Sequence, residues 1–321
     1  MTVSIIIAVK EWQDYLKQCI ERCLQLDYQD FEIIILPDHE GDVPGGIPVK
    51  VIPTGPLTPA KKRDIAMSHA CGEILAFIDD DAYPRKDWLK NAMQNFADPE
   101  VAAVAGPAVT PDADSPRQQA SGLVYASAMV SGSYSYRYLP KNRRWVEDYP
   151  SCNFLVRKLA LQELGGFNTN FWPGEDTKLC FDIINKLKKK IIYDPGVLVY
   201  HHRRPLFIPH LKQIASYALH RGYFAKRFCG TSLKLAYFMP SLLLLAVILG
   251  AFFSLFSHSL RMIYFSGAFF YILAAIVYSA ARRLSLTHLV FCGIILTHLT
   301  YGFYFLKGLA SSRLKEEEIR A

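Results

Sequence analysis

The stretch LAFIDDDAYP at residues 75–84 is the clearest indication of the fold in this sequence. Its apolar start is typical of a strand buried in a parallel sheet, and three aspartates follow directly. In open α/β sheets, ligands bind just beyond the carboxyl ends of the strands. Three adjacent carboxylates repel one another, so one interpretation is a bound divalent cation with oxygen ligands. The other interpretation is a solvated acidic turn that precedes a helix.

Outward from this stretch, strands and helices alternate along the first hundred residues. Apolar runs predict strands at 3–9, 31–36, 49–52, 74–78 and 101–105, and helical spacing predicts helices at 13–26, 58–70 and 86–96. This alternation predicts an α/β fold with a doubly wound, mostly parallel sheet. Residues 107–150 break it and predict a long irregular segment, either a surface for sugar and phosphate or a packed subdomain. Short strands are predicted again at 153–157, 191–193 and 197–200, and helices at 177–189 and 206–228.

The C-terminal part is apolar enough to enter a membrane. Between residues 235 and 306 the charged residues are Arg261, Arg282 and Arg283, which leave apolar stretches at 235–260, 262–281 and 284–306. Each stretch reaches the roughly 20 residues that cross a bilayer core. The alternative is a buried helical hairpin. Three complete spans would put the basic tail on the outer side of the membrane, which the preference of basic residues for the cytoplasmic side disfavours. A further alternative is that one of the three stretches is re-entrant or lies in the membrane interface.

We therefore expect four parts: an α/β domain at 1–204, a basic amphipathic membrane-interface segment at 205–234, about three transmembrane helices at 235–306 and a charged tail at 307–321. The net charge of +7 comes from the C-terminal part, because residues 195–315 contain no acidic residue. A basic surface beside apolar helices favours anionic lipid headgroups as partners over nucleic acid. The run at 3–9 is too short for a signal peptide, and an odd number of cysteines, seven, suits a reducing compartment. We expect a multi-pass protein of the cell membrane whose α/β domain is cytoplasmic.

Five short motifs follow one another in a familiar order. They are VSIIIAVKEWQDYL at 3–16, LPDHEGD at 36–42, AKKRD at 60–64, DDD at 79–81 and ED at 175–176. With these motifs on an α/β alternation, the chain resembles the family 2 glycosyltransferases, inverting enzymes with the GT-A fold, over roughly residues 3–204. It departs from the family pattern at Ala8, Pro37 and Asp64, which indicates a divergent branch.

The resemblance implies a nucleotide-sugar donor bound through a divalent cation, Mg²⁺ or Mn²⁺. It makes Asp81 the direct metal ligand and places Asp79 near the ribose or a metal-bound water, with Asp80 between them in the donor site. One of the two histidines His201 and His202 would complete the metal shell or touch the diphosphate.

Four further side chains are candidates for the donor site. By the resemblance, Asp38 would hydrogen-bond the base or ribose, and Arg63 would contact the diphosphate or hold Asp38 in place. Arg203 and Arg204 would neutralise the leaving group or bind a lipid phosphate. The alternatives are an ordinary turn aspartate at Asp38, a helix-surface charge at Arg63 and simple juxtamembrane charge for the arginine pair.

An inverting transfer is a single displacement, so one general base must deprotonate the acceptor hydroxyl. The resemblance implies that Asp176 is this base and that Glu175 orients it or contacts the acceptor. Without the resemblance, both would be read as acidic residues that suit the N-terminal end of a helix.

Together these expectations describe a membrane-anchored, metal-dependent inverting glycosyltransferase. It would move a single sugar from a nucleotide-sugar donor to a lipid-linked saccharide acceptor, in cell-surface glycan or polysaccharide biosynthesis. Processive synthases carry a glutamine-x-x-arginine-tryptophan motif near the end of this domain, and the sequence has none there. One alternative is a polyprenyl-phosphate glycosyltransferase whose acceptor is the lipid phosphate itself, and another is an inactive membrane protein that binds a nucleotide sugar.

Overall fold

The computed structural model describes residues 1–41, 43 and 46–318 and divides the chain into two compact units. The first unit consists of residues 1–109, 136–202 and the tail from Lys315, and the second consists of residues 110–135 and 203–314. Asp42 of the LPDHEGD motif and Arg320 of the tail lie outside the described residues. The four-part division expected from the sequence stays a prediction.

The elements of both units follow the chain in this order. The strands are β1 Val3–Ala8, β2 Phe31–Leu36, β3 Lys50–Val51, β4 Ile74–Ile78, β5 Ala82–Pro84, β6 Val101–Ala105, β7 Ala108–Val109, β8 Arg144–Val146, β9 Asn153–Arg157, β10 Lys190–Tyr193 and β11 Val199–His201. The α-helices are α1 Asp14–Cys23, α2 Pro59–His69, α3 Trp88–Asn95, α4 Pro116–Ala126, α5 Ala128–Ser131, α6 Lys158–Glu163, α7 Glu175–Asn185, α8 Ile208–Arg227, α9 Cys229–Ser232, α10 Leu235–Phe253, α11 His258–Arg282, α12 Thr287–Ala310 and α13 Lys315–Glu318. Short 3₁₀ helices lie at Gly132–Arg137 and Leu284–Leu286.

A large sheet forms the centre of the first unit. Among the described residues eight strands join it, in the order β3-β2-β1-β4-β9-β6-β10-β8. The pairs β1–β2, β1–β4, β2–β3 and β6–β10 are parallel, while β9 runs antiparallel between β4 and β6, and β8 runs antiparallel at the edge. All five residues of β4 and of β6 are buried, as expected for continuous apolar runs covered on both faces. The predicted α/β fold with a mostly parallel sheet is therefore confirmed.

The aspartate triplet leads directly into β5, which belongs to a second, smaller sheet. Its order is β5-β11-β7, and β5 pairs antiparallel with β11 so that Ala82 is opposite His201. This pairing brings the last residue of β11 next to the residue that follows Asp81. Two segments 120 residues apart in the sequence thus meet at the carboxyl end of β4.

The segment predicted to be irregular, 107–150, contains the helix α4, so that prediction is wrong in part. Ser115 and Gln118 form a capping box at the start of α4, and Pro116 occupies the first turn. Both features favour a helix start, because the cap satisfies backbone NH groups and proline has none to lose. The sequence signal was therefore present but local and short.

The second unit is helical, and α8 packs along α12. The glycines of this contact leave no room for a side chain. A Cβ at Gly222 would lie 2.1 Å from the backbone oxygen of Phe305, and one at Gly308 would lie 1.9 Å from that of Leu219. Small residues let helix backbones approach in this way. The predicted helix at 206–228 is confirmed as α8, and its position at a membrane surface stays a prediction.

A buried histidine joins three helices of this unit. Nδ1 of His210 lies 2.8 Å from Oγ of Ser121 on α4, and Nε2 lies 2.9 Å from Oγ1 of Thr297 on α12. His210 has no exposed surface, and its ring centroid is 4.9 Å from that of Tyr125. Burial, together with the nearby charge of Arg203, lowers the pKa of His210 from 6.5 to about 4. The imidazole is therefore neutral in the folded chain at neutral pH.

Three helices are long and apolar enough to cross a membrane: Leu235–Phe253, His258–Arg282 and Leu284–Ala310. The first turns of α10 nevertheless touch the last turns of α12. Oγ of Ser241 donates to the backbone oxygen of Gly302 at 3.1 Å, and the rings of Phe238 and Phe305 have centroids 4.8 Å apart. Three complete crossings would place these two ends on opposite sides of a core about 30 Å thick. The contact favours an arrangement in which one of the three helices does not cross completely.

Candidate active site

Three side chains at the end of β4 have the chemistry of a divalent-metal site. Asp79, Asp81 and His201, here called the Asp-Asp-His cluster, offer ligand atoms that all lie within 4.8 Å of one another. Nε2 of His201 lies 2.9 Å from Oδ1 of Asp81, and the backbone NH of His202 donates to the carbonyl of Asp81 at 2.9 Å. Two carboxylates and an imidazole suit a cation such as Mg²⁺ or Mn²⁺. The β5–β11 pairing holds the three side chains together.

The two adjacent histidines have different neighbours. The ring of His202 stacks on that of Tyr15, with centroids 4.1 Å apart, and its Nε2 lies 2.8 Å from the amide oxygen of Gln18. His202 is buried, whereas His201 is half-buried. Successive residues of an extended chain point to opposite sides, so one of the two faces the aspartates. The structure brings His201 into the cluster and places His202 against α1.

Asp80 lies beside the cluster and accepts a hydrogen bond from the amide of Gln13. Burial, followed by the neighbouring carboxylates of Asp81 and Asp79, raises the pKa of Asp80 from 3.8 to about 7. Carboxylates this close together resist ionising at the same time. A divalent cation would offset that repulsion, so the crowding fits a bound metal.

Arg63 links the end of β4 to the start of α7. Its Nη2 donates to Oδ1 of Asp79 and its Nη1 donates to Oε1 of Glu175, each at 3.0 Å. The guanidinium carbon lies 5.7 Å from the ring centroid of Phe77 and 5.6 Å from that of Phe167. Arg63 is 3% exposed, so its interpretation as a helix-surface charge is wrong. Its predicted contact with a diphosphate stays a prediction.

Asp38 is held by Lys62, and the idea that Arg63 holds it is wrong. Nζ of Lys62 lies 2.5 Å from Oδ1 of Asp38 and donates to the backbone oxygens of Val9 at 2.6 Å and Leu36 at 3.0 Å. Lys62 and Asp38 are both buried. Lys62 and Arg63 are adjacent on α2 and therefore project in different directions, so the two cations contact different carboxylates. Lys62 thus fixes Asp38 just beyond β2, where contact with a base or ribose is predicted.

The acidic pair opens α7. Oε2 of the buried Glu175 accepts the backbone NH of Gly174 at 3.0 Å, in addition to the Arg63 bond at Oε1. Asp176 is half-buried and accepts the NH of Thr177 at 2.7 Å and that of Ser151 at 3.3 Å. Both carboxylates are oriented by the fold, and Asp176 keeps the more accessible position. Their predicted roles as base and supporting residue fit this geometry and stay predictions.

Asp64, which departs from the family pattern, anchors a turn. Its carboxylate accepts the backbone NH groups of Phe167 at 2.7 Å and Asn168 at 3.3 Å. A Cβ at Gly166 would lie 2.4 Å from Oδ1 of Asp64, so this turn requires glycine. Burial raises the pKa of Asp64, and the two NH groups oppose that rise. The departure from the pattern therefore has a structural explanation within the first unit.

Arg203 and Arg204 belong to the second unit. Nε of Arg203 donates to Oγ1 of Thr110 at 3.3 Å, and its guanidinium carbon lies 5.7 Å from the ring centroid of Tyr125. Arg203 is buried, while Arg204 is exposed. The role predicted for this pair at a leaving group or lipid phosphate stays a prediction.

Proteins of known activity resemble this chain. Over 146 residues it is 30% identical to the pre-mycofactocin glycosyltransferase of Mycobacterium tuberculosis, an alignment that covers 46% of this chain and 30% of that protein. This chain thus matches less than a third of the length of that relative. It is 20% identical over 248 residues, 70% of this chain and 74% of the relative, to the dolichyl N-acetyl-alpha-D-glucosaminyl phosphate 3-beta-D-2,3-diacetamido-2,3-dideoxy-beta-D-glucuronosyltransferase of Methanococcus voltae.

A solved structure shares the fold. It is a mannosyltransferase from Pyrobaculum calidifontis in complex with GDP-Man and Mn²⁺, with a TM-score of 0.65 and 17% identity over 97% of this chain and 88% of that one. The model of the glycosyl transferase family 2 matches residues 4–165, half of the 321 residues. The expected family and the expected GT-A fold are therefore confirmed. This chain belongs to glycosyl transferase family 2 and has a GT-A-type fold.

Proposed function

We propose that this glycosyltransferase moves a single sugar, with inversion, from a nucleotide-sugar donor to a lipid-linked saccharide acceptor at a membrane surface. The observation that carries the proposal is the meeting of the Asp-Asp-His cluster and the acidic pair through Arg63. The name of the M. voltae relative gives a dolichyl-phosphate-linked sugar as its acceptor, and the P. calidifontis structure contains GDP-Man and Mn²⁺. Both support an acceptor and a donor of these classes.

On the donor side, the Asp-Asp-His cluster would bind Mn²⁺ or Mg²⁺. When bound, the cation supplies positive charge that offsets the negative charge growing on the departing diphosphate. Asp38, fixed by Lys62 at Oδ1, would accept a hydrogen bond from the base or ribose at its other carboxylate oxygen. Asp80 would line the same site.

On the acceptor side, Asp176 would take the proton of the acceptor hydroxyl. The backbone NH groups of Ser151 and Thr177 orient its carboxylate before the acceptor arrives. Glu175 would support this arrangement through Arg63 without touching the reacting atoms.

The apolar helices would keep the enzyme at the membrane. Residues 195–315 contain no acidic residue, so anionic lipid headgroups would meet a basic surface there. We propose a multi-pass protein of the cell membrane with its catalytic domain in the cytoplasm, acting in the synthesis of a cell-surface glycan or polysaccharide.

The test uses the full chain purified in detergent. A panel of nucleotide sugars is first screened by thermal shift with Mn²⁺, because a bound donor should raise the melting temperature. The stabilising donor is then incubated with polyprenyl-linked saccharides, and transfer is followed by mass spectrometry. We expect one added sugar per acceptor, no product with Asp81→Asn, and normal product with the exposed-site control Asp98→Asn. Equal activity of Asp81→Asn and wild type would refute the proposed site.

A polyprenyl phosphate as acceptor is the second candidate, favoured by the acid-free basic part of the chain. An ionised phosphate needs no general base, so Asp176→Asn would then retain near-normal transfer while Arg203→Ala with Arg204→Ala would abolish it. A saccharide acceptor predicts that Asp176→Asn loses transfer by about 100-fold or more.

A further inference from the structure

Arg63 shares its guanidinium between the metal cluster and the acidic pair. We propose that Arg63 is a positioning residue that couples cation binding at Asp79 to the placement of Glu175 and hence of α7. The inference rests on the proposed metal site and adds a link between its donor and acceptor sides.

The first support is the division of its hydrogen bonds. Nη2 is committed to Asp79 and Nη1 to Glu175, at the same distance of 3.0 Å. Its third nitrogen, Nε, is buried and has no hydrogen-bond partner among the described residues. The hydrogen bonds of the guanidinium therefore go to two carboxylates that lie 96 residues apart in the sequence.

The second support is the confinement of the group. Arg63 is 3% exposed and Glu175 is 6% exposed, so solvent screens their interaction little. The rings of Phe77 and Phe167 flank the guanidinium and limit where it can move. Because the planar guanidinium of Arg63 is confined in this way, a change at one of its carboxylate partners alters its hydrogen bond to the other.

The third support is the position of Asp79, which serves both partners. Its carboxylate accepts from Arg63 and also offers a ligand atom to the Asp-Asp-His cluster. A cation bound at Asp79 would offset part of the negative charge of its carboxylate and so weaken its hydrogen bond to Arg63. The guanidinium would then bond more strongly to Glu175. Because Glu175 begins α7 next to Asp176, donor-metal binding would tighten the acceptor side before transfer.

The test measures Mn²⁺ binding directly, from the electron paramagnetic resonance signal of the free ion, in the absence of any substrate. Glu175→Gln removes one of the two carboxylates that share Arg63. The guanidinium then pairs with Asp79 alone and competes more strongly with the cation for that carboxylate. We expect Mn²⁺ to bind roughly three- to ten-fold more weakly, within the range for groups of one ion-pair network. The exposed control Glu163→Gln should leave the affinity unchanged.

A double-mutant cycle separates coupling from a simple through-space effect. In an Arg63→Met background, Glu175→Gln should change the affinity less than about 1.5-fold, because the link is gone. Arg63→Lys keeps the charge without the fork and should give an intermediate result, which also serves if Arg63→Met does not fold. An equal shift in the wild-type and Arg63→Met backgrounds, or no shift in either, would overturn the coupling while leaving the metal site intact. A wild-type protein that binds no Mn²⁺ would overturn the metal site and the coupling together.

Discussion

Lowering the pH should destabilise the helical unit through one side chain, His210. This imidazole is buried between Ser121 and Thr297, and the charged group that lowers its pKa, besides burial, is Arg203. A proton on His210 would add a positive charge beside a guanidinium at a buried position. We expect acid to unfold the wild-type unit more readily than a His210→Gln variant, whose side chain stays neutral at every pH used.

The magnitude follows from the two pKa values of His210, about 4 when folded and 6.5 when exposed. Because the folded value is the lower one, the unfolded chain takes up the proton first, and stability is lost as the pH falls from about 6.5 to about 4. At about 1.36 kcal/mol per pKa unit, the full loss is on the order of 3 kcal/mol. About 2 kcal/mol of this loss is reached by pH 5.

The assay is denaturant unfolding of the detergent-solubilised protein, followed by circular dichroism at pH 7.5 and at pH 5. Carboxylates and other histidines titrate in both variants, so the difference between the two pH-induced losses isolates His210. We expect the wild type to lose about 2 kcal/mol more than His210→Gln. If the two variants lose the same stability, His210 is not held neutral by the fold and the reasoning is wrong.

Three further predictions concern the site and the three long apolar helices. Asp81→Ala should abolish Mn²⁺ binding and transfer while leaving the circular dichroism spectrum unchanged; a folded variant that still binds Mn²⁺ would contradict the site. Lys62→Met should lower the free energy of unfolding by about 3–5 kcal/mol, because it leaves a buried Asp38 without its partner, and Lys62→Met with Asp38→Leu should recover most of that loss. Reporter enzymes fused after Lys234 and after Ala321 should give the same orientation, since the first turns of α10 touch the last turns of α12; opposite orientations would require an odd number of complete spans and would contradict this arrangement.

Local patterns predicted most of the first unit. The strands at 31–36, 74–78, 101–105 and 153–157 have the predicted bounds, because each is an apolar run closed by polar or turn residues. The order of the strands was not predicted, and β9 lies antiparallel in the middle of the sheet. Which strands become neighbours depends on how long connections pack, and no short window of sequence contains that information.

The candidate site likewise combines residues that the sequence identified with contacts that it did not predict. The aspartate triplet and the acidic pair stand out by residue type, whereas the partners of Arg63 and Lys62 do not. Those two neighbours on α2 point to different carboxylates, and Asp79 and Glu175 lie 16 and 112 residues from Arg63. The choice between His201 and His202 was predictable from strand alternation once a strand was assigned up to residue 201. The predicted strand ended at residue 200, so both histidines remained candidates.

The glycine contact between α8 and α12 limits how this protein can vary. Where backbone touches backbone, the spacing of the helix axes is already at its minimum, because no side chain stands between them. Substitution at Gly222 or Gly308 can act in one direction only, by forcing the helices apart. In the membrane setting proposed above, adaptation of the helical unit to a thicker or a more fluid bilayer would therefore have to occur on its exposed apolar faces, while the contact between α8 and α12 stays unchanged.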